Sequence, residues 1–290
     1  MRHSDRQHHY WENVMSKVSI TLGLAAGITL SASAMAVLAQ QPSGQSVPPS
    51  IASASRMMSG PGYLPAGAGP DSLLLNPPPP AVGSPAEARD IAAAEAGIAL
   101  RGTPRWDLAV QDALLAPTTV GATFSCAAGV QLGATTTPKL HALLMRAAPD
   151  LGKSTSATKR KYMRPRPFKV NGKPSCRPDE EAMLRNDGSY PSGHSALGYG
   201  WSLILAEVIP ERATQLVARG RSFGDSRRIC NVHWLSDTEE GRIVASAVVA
   251  RLNAEPAFQA DLADARTEIT ALKVRNPGTN CASGAALLAL

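Results

Sequence analysis

Thr137-Pro138-Lys139-Leu140-His141-Ala142-Leu143-Leu144-Met145-Arg146-Ala147-Ala148-Pro149 decides the fold class. Leu140, Leu143, Leu144 and Ala147 recur at i, i+3, i+4 and i+7, the spacing that gathers one face of an α-helix. Proline at the first helical position suits the start, and Pro149 is expected to end the helix. The same grammar recurs on both sides. Ser84-Pro85-Ala86-Glu87 is a capping box followed by Ile91, Ala94 and Ile98 on one face. Thr103-Pro104 opens another helix and Pro210 a further one; Ser236-Asp237-Thr238-Glu239 reads as a capping box leading into Val244, Ala247, Val248 and Leu252. No strand-type alternation of useful length, hairpin dipeptide or internal repeat competes with these helices. With 44% apolar residues but only 4% aromatics, the composition favours close-packed helices over a sandwich. The expected class is all-α, a compact multi-helix bundle.

Outward from this bundle, Val18 to Ala39 is an uncharged run following Lys17 and closing on Ala34, Ala36 and Ala39. That is the layout of a secretory signal, with cleavage placed after Ala39, cleavage after Ala36 also open, and an uncleaved anchor as the alternative. Residues 1–39 are therefore expected to be a signal peptide with upstream extension, and the protein to be periplasmic or secreted. Residues 40–83, rich in Pro, Ser and Gly and including Pro77 to Pro80, read as a linker or a strap over the domain. Residues 84–272 are expected to form the catalytic domain and 273–290 a C-terminal tail. Cys126, Cys176, Cys230 and Cys281 contain no Cys-x-x-Cys pair, which argues against a structural zinc site; export favours disulfides, with three pairings open. The formal charge of +6 fits anionic substrates without specifying one.

Three short motifs follow one another. Lys159 precedes Arg166-Pro167; Pro191-Ser192-Gly193-His194 comes next; Ser226-Arg227 leads to His233 and Asp237. Singly, each has a plain reading: a basic solvated face, a turn with a helix cap, an i, i+4 structural pair. Together they specify eleven residues in order, and they hold two of the three histidines beyond residue 39. His141, the third, falls on a helix and reads as packing. The motifs are therefore weighed as one site.

On these residues the chain resembles the bacterial class A non-specific acid phosphatases, within the superfamily of type-2 phosphatidic acid phosphatases and vanadium haloperoxidases. The resemblance extends through Tyr162-Met163-Arg164, Asp187-Gly188-Ser189-Tyr190, Cys230 and His233-Trp234, over about residues 70 to 265. Ser195 stands where the class usually has Thr. The resemblance implies the superfamily's helical bundle and metal-independent hydrolysis of phosphate monoesters with broad specificity through a phosphohistidine. It implies His233 as nucleophile, Asp237 orienting it, and His194 as general acid and base. Lys159, Arg166, Ser192, Gly193 and Arg227 would hold the phosphate. These roles meet a physical need, because a phosphomonoester dianion must be surrounded by fixed cations before a neutral nucleophile can approach phosphorus. No cofactor or metal is expected. The expected partners are small phosphate monoesters, with no nucleic acid and no stable membrane association after signal cleavage; homo-oligomerisation is left open. Three rival readings remain: a vanadate-dependent haloperoxidase, a membrane-surface lipid phosphatase, and a non-catalytic module binding polyanions through Lys159 to Arg177.

Overall fold

The computed structural model describes residues 48–272, 276, 277 and 281. The expected signal segment, and nearly all of the expected tail, lie outside the described residues. Among the described residues thirteen α-helices follow one another: α1 (Pro49–Ser59), α2 (Ser72–Leu75), α3 (Pro85–Ile98), α4 (Pro104–Asp112), α5 (Ser125–Ala128), α6 (Pro138–Lys153) and α7 (Ser156–Tyr162). Then come α8 (Pro167–Asn171), α9 (Glu181–Leu184), α10 (Gly193–Val208), α11 (Ala213–Ile229), α12 (Leu235–Leu252) and α13 (Pro256–Thr270). The fold is all-α, and no strand occurs among the described residues.

The helix starts follow from their caps. Ser84 Oγ accepts from the Glu87 amide at 3.1 Å, and Glu87 reaches back to the Gly83 amide at 2.6 Å. Thr103 Oγ1 accepts from the Trp106 amide. The Glu87 and Trp106 amides are first-turn N–H groups that have no partner within their own helix.

The apolar face of α6 is buried as its spacing required, with Leu140, Leu144, Ala147 and Leu151 fully enclosed. Pro149, however, does not end α6, which continues to Lys153. The proline denies Met145 O its usual amide donor, yet it is itself buried between Ala148 and Leu151, so tertiary packing carries the helix past it. One residue earlier, Leu144 O accepts from Trp201 Nε1 at 2.9 Å.

The central helix is α10, which packs against α6, α11 and α12. Close approach depends on two glycines. A Cβ at Gly198 would lie 2.1 Å from the Phe223 ring on α11, and one at Gly241 on α12 would lie 2.5 Å from Ser192 O. Only glycine leaves room at either crossing. A smaller apolar cluster, Trp106, Ala109, Phe168, Ile229 and Val232, ties α4 and α8 to the end of α11.

Two disulfides join Cys126 to Cys281 and Cys176 to Cys230, which selects one of the three pairings. The start of α12 differs from the sequence reading: the helix begins at Leu235 with Trp234 as N-cap. Asp237, at the third helical position, takes the Trp234 amide at 2.8 Å. Packing also begins before Ser84. Within the segment read as a linker or strap, α1 and α2 are helical and Met57 and Tyr63 are buried in the core.

Candidate active site

The motif residues meet at one end of the bundle. Ser192 is the N-cap of α10, with Gly193 and His194 in its first turn; Ser226 and Arg227 lie in the last turn of α11; His233 precedes α12 and Asp237 lies in that helix's first turn. Lys159 comes from α7 and Arg166 is the N-cap of α8. The N-termini of α8, α10 and α12 therefore bring their positive ends to the same region.

His233 is buried, and its two nitrogens face different partners. Nδ1 stands 3.3 Å from Asp237 Oδ2, and Nε2 stands 3.2 Å from Arg166 Nη1. A carboxylate accepts and a guanidinium donates, so the proton belongs on Nδ1 and the lone pair on Nε2. Burial, then Arg166, Lys159 and Arg227, hold the ring well below the ordinary imidazole range, against a contact from the Ser189 backbone. Asp237 is fully buried, and burial pushes its carboxyl up. Arg164 Nη1, 2.7 Å from Oδ1, and the Trp234 amide pull it back.

His194 stacks on Phe223 with ring centroids 4.7 Å apart, and its Nε2 lies 2.6 Å from Asp112 O. A carbonyl only accepts, so Nε2 carries the proton and Nδ1 the lone pair of the neutral ring. Burial first and Arg227 second lower its pKa well below the usual value.

The three cations are held differently. Arg166 Nε donates to Leu184 O and Asp187 O, both at 3.1 Å, and its Nη2 to Asp187 Oδ2 at 2.7 Å. Lys159 Nζ donates to Gly188 O at 2.7 Å and lies 3.5 Å from Asp187 Oδ2. Burial, with Arg166 next, lowers the Lys159 pKa to about 8. Arg227 is 5% exposed, and its Nε and Nη1 are buried without an acceptor among the described residues. Burial lowers its pKa to about 10. Each buried donor left unsatisfied costs about 1–3 kcal/mol, more when charged, so two on one guanidinium require an explanation.

Ser192 Oγ accepts from the Ser195 amide at 3.1 Å and lies 3.0 Å from Ser195 Oγ, while the Ser192 amide donates to Asp237 O. That amide is thus committed to joining α10 to α12. A cavity of about 290 Å³ contains His194, Arg227 and Asp187 on its wall. Asp187 in turn touches Arg166, which touches His233. All eight expected site residues therefore belong to one contiguous cluster. His141 lies apart from it, on α6.

The sequence reading left several participants unassigned. Asp112 is buried and accepts from Ser226 Oγ at 2.7 Å, pairs with Arg219, and lends its carbonyl to His194. Arg164 bridges Asp237 and Asp90, each at 2.7 Å, and Asp90 also takes the Ser236 amide at 2.8 Å. Asp187 stands between Lys159 and Arg166. Among the described residues no group of three or more His, Cys, Asp and Glu side chains is placed to hold a metal ion.

Residues 139–254 match the PAP2 superfamily. Over 204 residues the chain is 43% identical to a non-specific acid phosphatase of Providencia stuartii, covering 70% of this chain and 82% of that one. It is 42% identical over 200 residues to a non-specific acid phosphatase of Salmonella typhimurium, covering 69% and 80%. It is 39% identical over 199 residues to an acid phosphatase of Zymomonas mobilis, covering 69% and 75%.

Proposed function

The chain belongs to the non-specific acid phosphatases of the PAP2 superfamily, and from that premise we propose that it hydrolyses phosphate monoesters by double displacement through His233. The observation that carries this reading is the pair of donors on buried Arg227 that have no acceptor among the described residues, beside a histidine and within one cluster with Lys159 and Arg166. A phosphoryl oxygen is the acceptor that such a guanidinium suits.

The chemistry follows from the two tautomers. His233 Nε2 attacks phosphorus in line, and the P–O bond to the alcohol breaks as the P–N bond forms. Protonated His194 gives its Nδ1 proton to the departing oxygen, so the alcohol leaves neutral. Asp237 stabilises the ring that becomes cationic, while Lys159, Arg166, Arg227 and the start of α10 hold the non-bridging oxygens. Water then gives a proton to His194 and attacks phosphorus; the P–N bond breaks, phosphate leaves, and both histidines return to their starting states. Three fixed cations supply the charge compensation in this scheme, so it runs without a metal. The grip addresses only the phosphoryl group, which favours breadth in the alcohol.

The two disulfides fit an oxidising compartment and therefore export. No described helix is long and apolar enough to cross a membrane.

Release of nitrophenol from nitrophenyl phosphate at mildly acidic pH, with chelator present, tests the proposal. Wild type should turn over, and His233→Ala should lose at least about 10³-fold in kcat. Turnover that survives the substitution, or that vanishes with chelator in the wild type, contradicts it.

A further inference from the structure

Helix α1 lies outside the motifs and outside the phosphate grip, yet it borders the same cavity as His194 and Arg227. Ser50, Ile51, Ala54, Ser55 and Met58 line that cavity. Their spacing, one helical turn between successive pairs, puts them on one stripe of the helix. We infer that α1 is the wall against which the alcohol half of the substrate rests, and that within a broad range of esters it biases kcat/KM toward small, largely apolar alcohols relative to nucleotides. This rests on the phosphatase reading above.

Three contacts hold the wall in place. At its start, Ser50 Oγ donates to Glu180 Oε1 at 2.6 Å, and Arg177 Nη2 lies 3.4 Å from the same hydroxyl. Near its end, Met57 enters the core and Met58 lies over Gly152 of α6, where a Cβ would come 2.3 Å from Met58 Sδ. Just beyond it, Asp150 takes the Tyr63 amide at 2.7 Å and the Leu64 amide at 3.4 Å, while Tyr63 Oη donates to Asp261 at 2.6 Å. The helix is therefore tied at both ends along the cavity wall, from α6 to the turn that precedes α9. A surface helix serving only solubility would not need such fastening.

Size and chemistry indicate the occupant. The cavity of about 290 Å³ sits at the lower limit of the roughly 300–1,000 Å³ usual for small-molecule sites. Once a phosphoryl group sits against Arg227 and His194, one ring or a short alkyl chain fits the remaining space. Ile51 and Met58 offer that group apolar contact. Glu180 and Asp187, also on the wall, oppose a second negative charge on the alcohol.

The test compares kcat/KM for adenosine 5′-monophosphate and phenyl phosphate in the full chain. In an Ile51→Ala, Met58→Ala double variant, the ratio of nucleotide to phenyl ester should rise about tenfold, because two side chains leave the wall. In Ile51→Trp, which narrows the same space, the ratio should fall, with the loss appearing mainly as a higher KM for the nucleotide. Near-UV circular dichroism identifies folded variants. A ratio within about twofold of wild type in either folded variant overturns the wall while leaving the phosphatase intact. If the wild type cleaves neither ester, the phosphatase reading itself fails, and the wall falls with it.

Discussion

Asp237 Oδ2 accepts the Trp234 amide at 2.8 Å and stands 3.3 Å from His233 Nδ1, so one oxygen both caps α12 and faces the imidazole. The cap fixes the carboxylate, and the carboxylate fixes the tautomer that leaves a lone pair on Nε2. Asp237→Asn keeps the shape but loses the charge, and it turns an amide toward Arg164 or toward the ring. We expect kcat to fall about 10²–10⁴-fold with a much smaller change in KM, measured by steady-state kinetics on a phosphate ester.

The pH profile should be a bell lying below the ordinary imidazole value of about 6.5. His233 works neutral, and its lowered pKa keeps it so into acid, so the acid limb lies low. His194 works protonated, and its lowered pKa restricts that form to acid, so activity falls as pH rises through its titration. The limbs belong to the pair as a unit, since each ring's charge opposes the other's. Measuring kcat/KM from pH 3 to 9 checks this, and His194→Ala should lose the alkaline limb.

Arg227 separates stability from function. Its two buried donors have no acceptor among the described residues, so Arg227→Met should raise stability by about 1–3 kcal/mol in phosphate-free urea unfolding while removing activity. Inorganic phosphate should stabilise the wild type more than the variant, which keeps Lys159 and Arg166 but has lost one of the three cations. A destabilised variant would mark Arg227 as structural.

The Cys176–Cys230 bridge closes a chain separation of 54 residues that carries α9, Ser192, α10 with His194, and all of α11. Paired replacement by Ser should cost about 4 kcal/mol, by the chain-entropy relation for a loop of that length. Urea unfolding measures the loss, and the residual folded enzyme should keep its kcat.

Local signals were legible in the sequence where they acted locally. Ser84 and Thr103 cap the helices they announce, and Leu140, Leu144 and Ala147 are buried on the stripe their spacing defines. Pro149 misled because its cost is offset by burial from other helices, which no window of α6 contains. Asp237 misled as part of a box begun by Ser236, since it reaches back to Trp234 instead. Asp112 and Asp90 are single acids in unremarkable contexts, and Asp187, although it stands in the Asp187-Gly188-Ser189-Tyr190 stretch that carries the resemblance, has no role that the stretch alone discloses. Their partners Arg219, Arg166 and Arg164 lie far away in the chain, so only the folded arrangement identifies them. The motif residues were findable because their combination was specified, although Arg227's exposed need for an acceptor becomes visible only once burial is known.

The stereochemical course at phosphorus tests the central claim most directly. A phosphate ester made chiral at phosphorus with oxygen isotopes is transferred by the enzyme to an acceptor alcohol, and the configuration of the product is read by phosphorus NMR. Two in-line displacements, first by His233 and then by the acceptor, predict overall retention. Overall inversion would mean that the acceptor attacks the ester directly, and it would contradict the covalent intermediate on His233.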